Sequence, residues 1–317
     1  MNILVTSIAK KIPLLREVHK ALSKTSKVGK LFGADSDKNC IGRYFCDSFW
    51  SMPTLEHLTF SEFSDFCRSH EISGVIPSRD GELLCFAQWS EKLEEAGISI
   101  MVSAPDVIAA CLDKLSFYQT LKDVADLNLC PTATDINQLP EGIAEIVVKE
   151  RFGSASEKIA INVTRQRALD LAKNLEHPIF QPFIEGQEYS VDLYRTRQGC
   201  IPGVIVRSRD LIVAGESQIS TTVENVEIEK MCLRAADILN LQGHIVFQGI
   251  IDKNDDFQII ECNPRFGGAS TLSIAAGLDS FFWFLRECRG YQVTKKDFVK
   301  KSLLRLIRYP QDLFLET

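Results

Sequence analysis

Residues 243 to 268 read Gly-His-Ile-Val-Phe-Gln-Gly-Ile-Ile-Asp-Lys-Asn-Asp-Asp-Phe-Gln-Ile-Ile-Glu-Cys-Asn-Pro-Arg-Phe-Gly-Gly, and they hold the densest chemistry in the chain. Lys253 to Asp256 has turn composition between two apolar runs, which predicts a hairpin with Asp252 opposite Phe257 and Gln248 opposite Glu261. Strand side chains alternate faces, so Glu261 and Asn263 project together and Gln248 joins them across the ladder. One carboxylate and two amide oxygens make a hard-oxygen set suited to Mg²⁺ (or Mn²⁺) shared with phosphate; no Cys or His contributes, which argues against zinc. Arg265, two residues past Asn263, places a guanidinium where a transferring phosphoryl group needs one. The competing reading is the polar outer face of an amphipathic hairpin.

Other chemistries lack their signatures. No G-x-G-x-x-G follows the first apolar run, and no G-x-x-x-x-G-K-[ST], H-E-x-x-H or G-x-S-x-G occurs. The five histidines are far apart in sequence. Ten cysteines show no C-x-x-C spacing and read as reduced thiols of a cytoplasmic protein. A formal charge of -6 argues against nucleic acid as a partner. The N-terminal apolar run, broken by Lys10, Lys11 and Pro13, is too short for a secretory signal. No run approaches the ~18 apolar residues of a membrane span.

The 243 to 268 segment resembles the metal-binding end of ATP-grasp ligases, especially the carbamoyl phosphate synthetase-like branch. That motif runs Q-x(about 12)-E-x-N-P-R-x-x-G, matched here by Gln248, Glu261, Asn263 and Arg265. The resemblance extends over about residues 1 to 290, with Ile76-Pro-Ser-Arg-Asp-Gly-Glu82 similar to the P-x-x-D-x-E loop of the preceding domain. It implies ATP and Mg²⁺ as cofactors. Cys111-Leu-Asp-Lys114 resembles the D-K opening the region, and Ile146-Val-Val-Lys149 the lid strand, so Lys114 and Lys149 would meet phosphates; alone, each also fits a surface lysine. Gly153-Ser-Ala-Ser-Glu-Lys158 stands where the family carries a glycine-rich loop, with Ser154 and Ser156 as substitute donors or as ordinary turn residues.

The stretch from Gln181 to Asp192 looks like the adenine hinge. The resemblance gives Phe183 and Ile184 backbone contacts to the adenine edge, Gln181 the adenine amino group and Glu188 the ribose hydroxyls. Arg207 and Arg209, with Gly215 to Ser217, resemble a basic strand facing phosphates and acyl substrate, with no choice between the two arginines. The implied function is a carboxylate-amine ligase acting through an acyl phosphate on small-molecule acid and amine substrates. A bicarbonate-using carboxylase or carbamoyl phosphate synthetase-like enzyme is one alternative, and a nucleotide-binding protein with reduced catalysis is another. A homodimer stays open.

These residues need a frame of about two domains, which 317 residues supply. The expected fold class is α/β plus α+β, an N-terminal doubly wound parallel sheet followed by what the resemblance implies is an ATP-grasp fold. Runs at 3–5, 28–34, 74–77 and 98–102 alternate with helical spacing at 13–24, 60–70 and 81–96, defining a Rossmann-like domain over 1–105. Its crevice loops hold Thr6-Ser7 and Ser78 to Glu82. By the resemblance, the ATP-grasp part is expected over 106–290, with a lid over about 115–183, a C-terminal subdomain over about 184–290, and an extension at 291–317. Helical spacing covers 106–127, 165–175 and 225–240; strands are expected at 145–149, 158–162, 178–184, 188–194, 203–209, 244–252 and 257–262.

Overall fold

The structure, a computed structural model, describes residues 1–25, 28–153, 159–301 and 303–315. Strands β1 (Asn2–Thr6), β2 (Leu31–Asp35), β3 (Ser48–Ser51), β4 (Ile72–Ile76) and β5 (Ser99–Ile100) form a parallel sheet in the order β3-β2-β1-β4-β5. Helices α1 (Ile12–Thr25), α2 (Phe60–Ser69) and α3 (Asp80–Glu95) cover it. Strand β1 is buried on both sides. Ile3 and Val5 pack with Leu15 and Val18 of α1, while Leu4 packs with Phe63 of α2 and Phe86 of α3. That double burial explains its unbroken apolar run. The second strand begins at Leu31 rather than residue 28, and β3 was not expected; Trp50 of this four-residue edge strand stacks on Phe66 at 3.9 Å between centroids.

The helical spacing expected across 106–127 is split into α4 (Pro105–Leu112) and α5 (Lys114–Leu121). Asp113 breaks it. Its backbone is extended, and its carboxylate accepts from the N–H groups of Leu115 at 3.1 Å and Ser116 at 3.2 Å, capping α5. The same carboxylate accepts from Arg151 Nε at 2.6 Å, tying the cap to the lid. The lid sheet comprises β6 (Glu145–Glu150), β7 (Ala160–Thr164) and β8 (Pro178–Pro182) in the order β7-β6-β8, with α6 (Arg165–Ala172) behind. Ile146 and Val148 enter the lid core with Ala168, so Val147 and Lys149 face the other way.

A six-stranded antiparallel sheet completes the chain, in the order β13-β12-β9-β10-β11-β14. Its strands are β9 (Gly186–Arg195), β10 (Val204–Val213), β11 (Glu216–Val223), β12 (Gly243–Asp252), β13 (Phe257–Asn263) and β14 (Arg305–Ile307). Val191, Leu193, Val206, Ile245 and Phe247 pack on Ile228 and Cys232 of α7 (Val226–Ile238) and on Phe117 of α5. The alternate residues Ser190, Arg207 and Gln248 therefore line the opposite face. Two further helices, α8 (Thr271–Ala275) and α9 (Ser280–Glu287), follow β13; Phe281, Trp283 and Phe284 of α9 enter the core built on Ile3 and Val18. The N-terminal domain and the later subdomain thus share one hydrophobic core. Strands β11 and β14 and helices α8 and α9 went unforeseen, and β14 brings part of the expected extension into the main sheet.

The β12–β13 hairpin departs from the expected register at its tip. Ile251, not Asp252, faces Phe257, because the loop has three residues, Lys253 to Asp255, with Asp255 left-handed at φ 67°. One extra residue, Ile260, is then absorbed as a bulge between the pairs Gly249–Ile259 and Gln248–Glu261. The pairing of Gln248 with Glu261 is therefore as expected, although the tip is offset. Among the described residues no helix is long and apolar enough to cross a membrane.

Because Asp113 caps α5 and holds Arg151, Asp113→Ala is expected to lower stability by about 1–2 kcal/mol. The urea midpoint should fall with an unchanged slope.

Candidate active site

The polar face of the large sheet, the lid and the N-terminal domain enclose a cavity of about 820 Å³. Gln248, Glu261 and Asn263 share its floor. Asn263 Nδ2 donates to Glu261 Oε1 at 3.4 Å, and Gln248 Oε1 accepts from Arg209 Nη1 at 2.9 Å. Among the described residues no cluster of three His, Cys, Asp or Glu side chains suitable for a metal occurs. The donor set is one carboxylate with neutral oxygens. That composition fits a hard cation that completes its shell with phosphate oxygens and water, and does not fit a metal caged by protein alone.

Lys149 enters from β6 and is 8% exposed, with no hydrogen bond or ion pair among the described residues. Its ammonium opens into the cavity, and a cation held there without a partner suits an incoming anion. Lys114, first residue of α5, donates to the carbonyls of Gly153 at 2.8 Å and Arg151 at 3.5 Å. Burial lowers the pKa of its ammonium, Glu261 opposes that shift and Lys149 adds to it. The three groups thus share one field. Ser154 and Ser156 lie outside the described residues.

At the hinge between β8 and β9, Gln181 is buried and its Nε2 donates to Thr132 Oγ1 at 2.8 Å. The Phe183 N–H donates to the Glu145 carbonyl at 2.9 Å, whereas the backbone of Ile184 makes no backbone hydrogen bond among the described residues. Of the two hinge residues, Ile184 therefore has the free amide. Glu188 Oε2 accepts from Arg209 Nη1 at 2.7 Å, so this carboxylate faces the basic strand.

Arg207 and Arg209 lie two apart on β10 and line the cavity together. Arg209 is further held by Ser217 Oγ at 3.0 Å and the Gly215 carbonyl at 2.7 Å. Arg207 Nε donates to Asp192 Oδ2 at 2.6 Å, both side chains being almost wholly buried. Behind them, Asp192 Oδ1 contacts His244 Nε2 at 3.1 Å and accepts from the Ser270 hydroxyl, and His244 Nδ1 contacts Ser280 Oγ at 2.8 Å. Burial opposes ionisation of Asp192, but Arg207 and then His244 and Ser270 outweigh it and hold the carboxyl well below the usual carboxylate range.

Arg265 does not stand alone beside Asn263. Its Nε and Nη2 donate to the Asp80 carboxylate at 2.6 and 2.5 Å, bridging from β13 to the N-terminus of α3. Glu82, two residues on, is fully buried and accepts from Thr6, Ser7 and the Ser78 and Arg79 N–H groups, fixing the loop after β1. Lys11 enters the cavity from that loop, and Arg308, just past β14, lines it as well, with Nη1 on Glu216 Oε2 at 2.8 Å.

Sequence reasoning did not single out Lys11, Asp192, His244 or Arg308 as site residues. Lys11 carried a signal, since it follows the first strand of a parallel sheet, where ligand loops lie. The other three carried none, because only tertiary packing brings them in.

Comparisons with known proteins agree with this arrangement. Residues 111–269, half of the chain, match the ATP-grasp domain, and residues 3–101 match the PylC-like N-terminal domain. The chain belongs to the ATP-grasp family. It is similar to phosphoribosylamine–glycine ligase of Listeria monocytogenes, 22% identical over 237 residues, 69% of this chain and 48% of that protein. The chain thus spans about half the length of this curated relative. The same fold occurs in the biotin carboxylase–β,γ-ATP complex from Campylobacter jejuni, with TM-score 0.76, 13% identity and coverage of 96% and 74% of the two chains. It occurs also in N5-carboxyaminoimidazole synthetase from Staphylococcus aureus complexed with ADP, with TM-score 0.73, 16% identity and coverage of 92% and 78%. An L-amino acid ligase from Bacillus licheniformis gives TM-score 0.70, 15% identity and coverage of 94% and 76%.

The Asp192 network has a pH signature. With a folded pKa below the unfolded value of about 3.9, its stabilisation is complete above that pH and is lost as the pH falls toward the folded pKa. Asp192→Asn should cost about 3–5 kcal/mol at pH 7 by leaving Arg207 uncompensated. In denaturant titrations the gap from the parent protein should narrow below about pH 4.

Proposed function

We propose that this protein is an ATP-dependent carboxylate-amine ligase. A carboxylate oxygen attacks the γ-phosphorus of ATP and ADP leaves; an amine then attacks the acyl carbon and phosphate leaves. The observation that carries the reading is the buried, unpartnered Lys149 facing the Gln248–Glu261–Asn263 set across one cavity. This pairing of an anion-seeking cation with a hard-oxygen cation site suits a polyphosphate and its Mg²⁺.

In this reading Lys149 and Lys114 hold phosphate oxygens, and Ile184, Gln181 and Glu188 receive the nucleoside. Glu261, Asn263 and Gln248 would hold Mg²⁺, which when bound neutralises phosphate charge. Arg207 and Arg209, fixed by Asp192 and Glu188, would face the phosphoryl and acyl oxygens with donors already oriented. Arg265 would lie at the reacting end, aligned by Asp80. Among the described residues the site needs no protein nucleophile for this sequence of steps. ATP and Mg²⁺ are the cofactors of this proposal, and its partners are a small-molecule acid and amine. The similar proteins named as ligases support it.

The test is a screen of amino acids, dipeptides and bicarbonate for stimulated phosphate release with Mg-ATP. An acid-plus-amine pair should stimulate release, whereas stimulation by bicarbonate alone would favour carboxylase-type chemistry. Lys149→Ala should weaken ATP binding by about 2–5 kcal/mol, and Glu261→Ala should abolish turnover while remaining folded. Arg265→Ala should lower kcat by roughly 10² to 10³ with ATP Kd within a few fold. Unchanged ATP affinity in Lys149→Ala would contradict the assignment.

A further inference from the structure

Beside Arg265, the N-terminal domain and the segment after β14 meet the main sheet at the cavity wall. Two acids there are already engaged. Asp80 is bound through both oxygens to Arg265, at 2.6 and 2.5 Å, and Glu216 is bound to Arg308 at 2.8 Å. The nearby Glu82 faces Thr6, Ser7 and the turn before α3. Lys11 lies within the electrostatic reach of all three acids and of Arg265, yet its ammonium makes no hydrogen bond or ion pair among the described residues. It is half-buried at the cavity wall.

Among the described residues, Asp80 and Glu216 are each turned to an arginine and Glu82 to hydroxyl and N–H groups of its own domain, so none of the three acids pairs with Lys11. Burial lowers the pKa of the Lys11 ammonium, and Arg265 adds to that shift. An anion placed here would relieve both effects. Arg308 keeps donors beyond the one on Glu216 and approaches the Gly268 backbone, where an added Cβ would lie 3.4 Å from its Nη1. The absence of a side chain at Gly268 leaves that approach open.

We propose that Lys11 and Arg308 form a substrate-anion subsite, separate from the nucleotide site, that holds a carboxylate or phosphate group carried by one of the joined substrates. The inference rests on the ligase reading for what the anion is attached to, and it deepens that reading by naming the substrate class: molecules with a negative group besides the reacting one. Lys11 then acts as a specificity residue supplied by the N-terminal domain. The Arg265–Asp80 bridge and the Glu82 contacts set its distance from the reacting end.

The full chain is titrated calorimetrically with succinate, with the neutral analogue succinamide and with inorganic phosphate, each in the presence and absence of MgADP. Succinate or phosphate should bind and succinamide should not. Lys11→Met should weaken the charged probe at least about tenfold, the loss of one charge-assisted hydrogen bond, and Lys11→Arg should restore most of it. MgADP affinity should stay within twofold in both variants, which also shows that they fold. A carboxylate subsite favours succinate, and a phosphate subsite favours inorganic phosphate in a Lys11-dependent manner. Equal binding of the charged probes by parent and Lys11→Met, equal binding of succinate and succinamide, or no binding of either anion overturns the proposal. Failure of MgADP to bind the parent protein contradicts the ligase reading instead, and the titrations without nucleotide still decide the subsite.

Discussion

A lysine whose ammonium opens into the cavity, with no carboxylate partner among the described residues, is the constraint on which the site depends. Lys149 reaches the cavity because the lid core takes Ile146 and Val148, and strand alternation leaves the lysine no other face. A cation facing a confined cavity without a partner is stabilised by an anion that enters beside it. The basic strand obeys the same rule differently. Arg207 and Arg209 are buried too, but each has an acid partner that fixes its direction, Asp192 for one and Glu188 for the other. The cavity thus combines preset cations, which orient, with unpaired ones, which attract.

The second organising feature is the continuity between domains. Helix α9 packs its aromatic residues into the core of the N-terminal sheet, and the Arg265–Asp80 pair joins the two parts at the cavity. Glu82 holds the loop after β1 from beneath. A single chain of contacts therefore runs from the hairpin bearing Glu261 to the loop bearing Lys11. Geometry at the metal set and around Lys11 is set by shared packing, so substitutions at Asp80 or Glu82 bear on both.

Much of this was legible in local sequence. The parallel sheet declared itself through apolar runs between helical spacings, and Gln248, Glu261 and Asn263 could be placed on one face by alternation alone. Their juxtaposition survived an offset at the hairpin tip because the bulge at Ile260 restored the register before Glu261. What local pattern does not encode is capping against continuation, as at Asp113, where apolar spacing runs straight through a helix break. Nor does it encode contacts made across long sequence separations. The His244–Asp192 pair, the Arg265–Asp80 bridge and the arrival of Arg308 each depend on how sheets stack, and no window of neighbouring residues contains both partners.

In the proposed function, the polar face of the large sheet would activate a carboxylate by phosphoryl transfer before any amine reacts. The most direct measurement is to label the carboxylate of a substrate pair found to support turnover with ¹⁸O and to analyse the released phosphate by mass spectrometry. Transfer of one ¹⁸O into phosphate per turnover is the predicted result. Label-free phosphate, with product formed at the same rate, would contradict the acyl phosphate and the assignment of this cavity to carboxylate activation.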